Sequence, residues 1–514
     1  MNLMSSKKDV SLVEKKYFQT DHLKVGLKER AVRGGGITVF TRITDYVLQL
    51  VGTVILARLL SPEDFGLFGM VVAISGFFYL FKDLGLSDAT VQSDNINHSQ
   101  VSTLFWLNIA FSVIIMVVLW ALSPAICWFY KEPRILLISI VSAFSFILAG
   151  MSTQHIALLR RGMFFYSIAA IEIVGTVLST ILAVIMAMKG AGYWALVVKP
   201  LIQSFVSSAG AWIACPWRPG NFNKKSGIKP MVKFGANTMG YYFVNYFARN
   251  LDKTLIGWQN GASALGFYSR AYFLFIAPIN QFSLPLQSVA VTTLTKLKSD
   301  PQKYRRYFLN ALSLLAFVGM PVSTAMAALS DDLIMLLLGE KWMRTAQIFS
   351  ILGLSAGIQV IYATQGWVYV SLGRADRWLR WGIIGSLVMV LSFIIGLPFG
   401  PEGVAFGYSA SLYLLVIPAL WFAGRPVGLT FWHITGAIWK YYVSSVIAGI
   451  GCWYFDHHFT FHSPYMQLAV GSLFFCALYL LAIVSLYRSF DPVRLFIQIV
   501  SNLVPVRKKK AEVV

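Results

Sequence analysis

Charged side chains that interrupt apolar runs are the residues of this sequence with chemistry to offer. Arg42 and Asp45 stand three residues apart, and Gln49 continues their stripe one turn on. Lys82 and Asp83 close a second apolar run, while Glu172 and Lys199 lie inside two others. The longest stripe runs Asn237, Tyr241, Asn245, Arg249, then Asp252 and Lys253, at the spacing of one helix face. Arg270 opens the next run, and Lys440 sits near the end of a late one. At mid-membrane each such ion costs at least about 2.5–3.5 kcal/mol on the insertion scale, so it faces a watery cavity or a partner. The forked guanidinium of Arg matches phosphate bidentately. Tyr and Asn add a stacking face and hydroxyl partners suited to sugars. That is chemistry for holding an anionic cargo, with Asp45, Glu172 and Asp252 as candidates for coupling its movement to an ion. A second reading stays open at this point: Arg42–Asp45 and Arg249–Asp252 as intrahelical ion pairs, and Lys82, Lys199, Arg270 and Lys440 as side chains snorkelling to the interface.

The elements that must position these residues are membrane helices. Of 514 residues, 57% are hydrophobic and 13% charged, about half the charge of a soluble domain. Apolar stretches of the spanning length of about 20 residues recur along nearly the whole chain. They predict helices near 34–57, 65–87, 101–122, 135–157, 164–188, 191–214, 232–258, 264–290, 304–329, 345–371, 378–398, 402–423, 434–455 and 465–487. The expected class is an all-α polytopic membrane protein of about fourteen spans, with both termini on one side. Taking the N-terminus as cytoplasmic puts thirty Lys and Arg on the inner face and six on the outer. Basic loops stay inside, so both ends are expected in the cytoplasm. The net charge of +21 thereby finds an explanation without nucleic acid. The arm at 22–33 and the tail at 491–510 read as interfacial amphipathic helices gripping anionic membrane lipids. The first thirty residues lack the apolar core of a cleaved signal peptide.

A repeat organises the spans. Shifted by 200 residues, FGLF (65–68) lies over LGFY (265–268) and LGL (84–86) over LPL (284–286). FWLN (105–108) resembles YFLN (307–310), and two outward turns share an ALS start and a Lys/Glu pair. Six helices per repeat give two lobes related by an axis along the membrane normal, the plan of carriers that hold cargo between lobes. The expected organisation is a basic arm (1–33), a first six-helix lobe (34–214), a linker (215–231), a second lobe (232–424), two added helices (425–490) and a basic tail (491–514). Spans 1, 2, 7 and 8, the first pairs of each repeat, all carry cations.

Several functions are excluded or disfavoured. Gly34–Gly36 precede Ile-Thr rather than Gly-Lys-Ser/Thr, so they are no phosphate-cradling loop. Cys127, Cys215, Cys452 and Cys476 lack metal-ligand spacing, and His457, His458 and His462 stand in one outer loop without a further ligand. No extramembrane stretch is large enough for a catalytic domain. The sequence gives no reason to expect an enzyme, a metal or a cofactor.

Four segments resemble a known family: ILARLLSPEDFGLFGMV (55–71), DLGLSDATVQ (83–92), LLRRGMFFYSIAAIEIVG (158–175) and FGANTMGYYFVNYFARNLDKTLIGWQNGASALGFYSRAYFL (234–274). They are similar to the polysaccharide transporters, the Wzx-type branch of the multidrug/oligosaccharidyl-lipid/polysaccharide exporter superfamily, and especially to colanic-acid, succinoglycan and teichuronic-acid exporters. The resemblance covers about residues 25–490. It implies two six-helix bundles forming a V, with two extra helices. It also implies transfer of undecaprenyl-pyrophosphate-linked glycan repeat units from the cytoplasmic to the periplasmic leaflet of the bacterial inner membrane, serving exopolysaccharide or lipopolysaccharide assembly beside polymerase and co-polymerase partners. Related flippases use arginines of helices 1, 2 and 8 around a central cavity, places that Arg42, Lys82 (a lysine here) and Arg270 would take. Three alternatives compete: a drug or cation antiporter, a carrier of another lipid precursor such as that of peptidoglycan, and a membrane scaffold.

Overall fold

The computed structural model describes residues 17, 18, 27–81, 83, 85–93, 95–223, 227–459, 461, 463–491 and 494. The side chains at 27, 28, 30, 31, 80, 81, 229–249, 280–285 and 288 lie outside that description, and with them those of Asn237, Tyr241, Asn245 and Arg249. Lys82, His462, most of the tail and part of the 22–33 arm lie outside it as well.

Every regular element among the described residues is helical. Among the described residues, eight helices are long and apolar enough to cross a membrane, or nine if the bent pair Glu340–Gly353 and Ala356–Leu372 forms one span. The chain is an all-α multi-pass membrane protein. Its contacts divide it into two compact units, Met1–Gly266 and Phe267–Val514.

The first unit begins with α1 (Leu27–Leu59) and α2 (Pro62–Phe81), followed by the short α3 (Leu86–Gln92). Between α2 and α3 the chain turns through Gly85, whose φ of 66° suits a residue without Cβ. Asp83 sits in that break, and its carboxylate accepts from the Ser87 amide at 3.0 Å and from the Ser87 hydroxyl. It closes the first turn of α3 as an N-cap carboxylate would. Next come α4 (His98–Tyr130), started by a reciprocal Asn97–Gln100 capping box, α5 (Arg134–Arg161), α6 (Phe165–Met188) and α7 (Trp194–Ala214). Within this unit α4 packs on α5, α5 and α6 on α7, and α1 on α6.

The long α8 (Lys229–Leu297) turns sharply at Gly261, where φ is 82°. The residues after that turn lie against the start of α2 at backbone distance. A Cβ on Gly66 would run into the Ala262 carbonyl, and one on Gly266 into the Pro62 carbonyl. In lipid, where apolar burial does not drive helices together, such close approach of small residues is a main source of packing energy. Gly66→Val is therefore expected to lower the melting temperature of the purified protein markedly. Its cost should exceed the usual 1–3 kcal/mol of overpacking, because the obstacle is backbone and cannot rotate away. Unchanged melting would refute this contact.

The second unit holds the rest of α8, α9 (Pro301–Ala328), α10 (Ser330–Leu337), the broken series α11 (Met343–Gly353), α12 (Ala356–Ala363) and α13 (Gln365–Leu372), then α14 (Ala375–Gly396), α15 (Gly400–Gly424), α16 (Phe431–His458) and α17 (Pro464–Tyr487). Gly403 and Gly407 of α15 meet Ser392 and Gly396 of α14 backbone to backbone, a small-residue seam of the same physics. At the 44° bend between α11 and α12, hydroxyls take over the freed carbonyls. Ser323 donates to Gly353 O at 2.6 Å or Leu354 O at 2.7 Å, Tyr413 to Leu354 O at 2.7 Å, Ser409 to Ile351 O at 2.9 Å and Ser355 to Leu352 O at 2.7 Å. A helix can break inside the bilayer only where its backbone groups are re-satisfied in this way.

Candidate functional site

In the first unit, α1, α6 and α7 bring polar groups together between otherwise apolar helices. Asp45 on α1 accepts from the Thr176 hydroxyl of α6 at 2.5 Å and from the Gln49 amide one turn along its own helix at 2.6 Å. Glu172 lies one turn before Thr176 and is within electrostatic reach of Asp45, Arg42 and Arg160. Ser179, the next turn of α6, donates to Gln203 of α7 at 2.9 Å. Two glycines let the helices close around these groups. A Cβ on Gly52 would press on Thr180 and lie 3.5 Å from the Lys199 ammonium, and one on Gly175 would lie 2.9 Å from the Gln203 amide. Arg42 is exposed and, among the described residues, forms no ion pair.

The cluster thus offers a guanidinium, an ammonium, two carboxylates and neutral oxygens. Such a set can bind an anion at its basic edge and a small cation or proton at its carboxylates. Of the sequence candidates it unites Arg42, Asp45 and Glu172, with Gln49 and Lys199. Both oxygens of Asp45 are engaged by Thr176 and Gln49, so cancelling Arg42 is not what places this carboxylate. Thr176, Ser179 and Gln203 were not among the sequence candidates. The i, i+4, i+7 spacing of Glu172, Thr176 and Ser179 was the available signal.

The remaining described candidates stand on other helices. Asp252 of α8 is 1% exposed, and Lys253 donates to the Asn250 side chain at 3.3 Å. Arg270 is partly buried, with its guanidinium 5.5 Å from the Phe273 ring centroid. Lys440 is a packing residue: its ammonium lies 4.3 Å from the Tyr487 ring centroid and 5.9 Å from that of Trp439, a cation–π seat. His457 and His458 are engaged by aromatics, His457 stacked on Trp453 and His458 on Tyr454. Among the described residues no three His, Cys, Asp or Glu side chains group as metal ligands.

One charged residue proves structural in a way the sequence concealed. Arg161, at the end of α5, is only 6% exposed. Its guanidinium donates to the carbonyls of Thr90 at 3.2 Å, Phe18 at 3.3 Å and Val91 at 3.4 Å, and also to that of Ser93. Tyr17 and Phe18 of the arm are buried beside it, Tyr17 against Phe164 and Phe18 edge-on to His98. The segment after α7 docks on the same end: Trp217 donates to His98 Nδ1 at 3.0 Å, and Trp106 to Gly220 O at 2.8 Å.

Comparison with known proteins agrees with this architecture. The chain is 27% identical over 470 residues to the teichuronic acid biosynthesis protein TuaB of Bacillus subtilis (strain 168), covering 90% of this chain and 96% of that one. It is 22% identical over 423 residues to the lipopolysaccharide biosynthesis protein WzxC of Escherichia coli (strain K12), covering 79% and 85%. The lipid II flippase MurJ in an inward closed conformation shares the fold with a TM-score of 0.70 at 16% identity, over 89% of this chain and 99% of that one. An inward-facing multidrug resistance MATE family transporter follows at 0.58 and 14%, over 74% and 94%. A family model described as polysaccharide biosynthesis protein matches residues 55–347. More than half of the sequence falls within that match, and the chain belongs to the polysaccharide biosynthesis protein family.

Proposed function

We propose that this protein translocates undecaprenyl-pyrophosphate-linked oligosaccharide repeat units across the bacterial inner membrane, from the cytoplasmic to the periplasmic leaflet. Family membership over residues 55–347 carries the reading. The relatives named for teichuronic acid and lipopolysaccharide biosynthesis support the glycan part of it, and the fold shared with a lipid II flippase supports the carrier part. The cargo carries negative charge on its pyrophosphate, and Arg42 lies exposed beside the Asp45–Glu172 cluster. Lys82, Arg249, Lys253 and Arg270 extend the cationic lining, with Asn237, Tyr241 and Asn245 contacting the sugar. The working parts are two six-helix lobes, 34–214 and 232–424, operating by alternating access with both termini cytoplasmic. Asp45 and Glu172 bind the coupling ion or proton, and Asp252 is the corresponding candidate on α8. Polymerase or co-polymerase proteins take up the product.

A strain deleted for the protein tests this directly through the sidedness of lipid-linked repeat units. These are expected to accumulate on the cytoplasmic leaflet, to be relieved by the wild-type chain and not by Arg42→Ala/Arg249→Ala. Normal arrival at the periplasmic leaflet in the deletion strain would overturn the proposal and direct attention to drug efflux.

A further inference from the structure

The second unit contains two carboxyl groups, those of Asp332 and Asp456, within hydrogen-bonding reach of each other. Asp332 lies on the short α10 between α9 and the broken series, and Asp456 lies near the end of α16. Asp456 is held from its other side by Gln467 of α17, whose amide nitrogen donates to Asp456 and, at 3.0 Å, to the Phe459 carbonyl. The orientation of that amide is set because its oxygen accepts from the Phe461 amide at 2.8 Å. Asp456 therefore serves as acceptor at one oxygen. Asp332 Oδ2 is buried and no donor reaches it among the described residues. A buried carboxylate oxygen without a donor is costly. Beside a second carboxylate, a proton resolves both the orphaned oxygen and the like-charge repulsion.

We infer that Asp332 and Asp456 form a proton-binding site, in which one shared proton ties α16 and α17 to α10. With the proton present, Asp332 donates to Asp456 and the chain Asp332–Asp456–Gln467 is continuous from α10 to α17. Without it, two carboxylates face each other across the joint. The neighbouring groups leave that balance to the pair. Asp331 adds negative charge from α10 itself, and Cys452 of α16 is a nearby thiol. The elements packed on α10 contribute Glu340, Lys341 and Arg344, of which Arg344 is bound to Glu402 at 2.6 Å. His457 and His458 follow Asp456 on α16, stacked on their own aromatic partners. Burial first, then Asp456 and Asp331, push the Asp332 carboxyl up to about 6. Its folded form thus holds a proton that the unfolded chain has released, so the stabilisation is full in acid and is lost as pH rises toward and through about 6.

Melting of the purified full chain in detergent, followed by tryptophan fluorescence at about pH 5 and about pH 8, reads the tie. Asp332→Asn keeps the shape and carries a permanent donor toward Asp456. It is expected to melt above wild type at the higher pH, and its loss of melting temperature between the two pH values should shrink to less than about half the wild-type loss. Asp456→Asn should flatten the same profile, and it supplies the answer if the first variant is not obtained folded. Infrared spectra near pH 5 should show a protonated carboxyl stretch that both variants lose. The inference is overturned if the variants keep the wild-type pH profile, melt below wild type at the higher pH, or retain that carboxyl band.

Discussion

Asp45→Ala is expected to reduce export of lipid-linked glycan about 10- to 100-fold in complemented cells while leaving the protein inserted and folded. The size follows from what Asp45 holds. Its carboxylate accepts from Thr176 at 2.5 Å and Gln49 at 2.6 Å, and hydrogen bonds to a charged group contribute about 1.5–3 kcal/mol each. About 1.4 kcal/mol is a factor of ten. Losing the charge also changes the field at Arg42 and Glu172, which share this polar cluster. Asp45→Asn separates the two effects. It can still accept from Thr176 or Gln49 yet carries no charge, so a defect as deep as that of Ala assigns the role to charge rather than shape. Arg42→Lys should fall between wild type and Arg42→Ala, since an ammonium keeps the charge but loses the bidentate fork. Lys440→Met provides the control. That lysine is seated on Tyr487 and Trp439, and its replacement should leave export unchanged. Wild-type export by Asp45→Ala would remove the cluster from the transport site.

Much of this site was legible because helices impose a strict spacing on side chains. Arg42, Asp45 and Gln49 share one face of α1 by periodicity alone, and the structure keeps them on one side. What spacing within a helix cannot give is the partner on the next helix. Thr176 and Gln203 became relevant only once α6 was packed on both α1 and α7, through contacts that Gly52 and Gly175 permit. The hydropathy pattern located the helices well but treated each as continuous. It missed the break at Gly85, where a left-handed residue and the Asp83 cap split one predicted span, and the bend at 353–355, where hydroxyls from α9 and α15 compensate the backbone. The second break depends on side chains distant in sequence. Asp83 and Lys440 show the same limit from the other direction: they read as intramembrane charges with functional promise, and packing gives each a local structural task.

Arg161 shows it most clearly and leads to the second large effect. As a sequence feature it was one of two adjacent inner-loop arginines, counted for topology and nothing else. In the structure it is buried where α3 ends, and the last carbonyls of a helix have no intrahelical donors. A cation there meets both the orphaned carbonyls and the negative end of the helix dipole. The same guanidinium reaches the Phe18 carbonyl, so it joins α5, the end of α3 and the N-terminal arm at one point. Arg161→Ala would leave several buried carbonyl acceptors unpaired, at about 1–3 kcal/mol for each one left unsatisfied. A loss of that order should appear as a large fall in melting temperature and as faster proteolysis of the arm. Arg161→Lys should recover only part of it, because one ammonium cannot span carbonyls that a planar fork with five donors reaches. Phe18→Ala supplies the internal comparison: it deletes the buried ring yet keeps the backbone carbonyl that Arg161 uses. If Arg161 acts mainly on the α3 terminus, Arg161→Ala should destabilise the first unit in a chain that already carries Phe18→Ala by nearly as much as in wild type. If holding the arm is its main task, the two losses should fall well short of additive, since each would release the same segment.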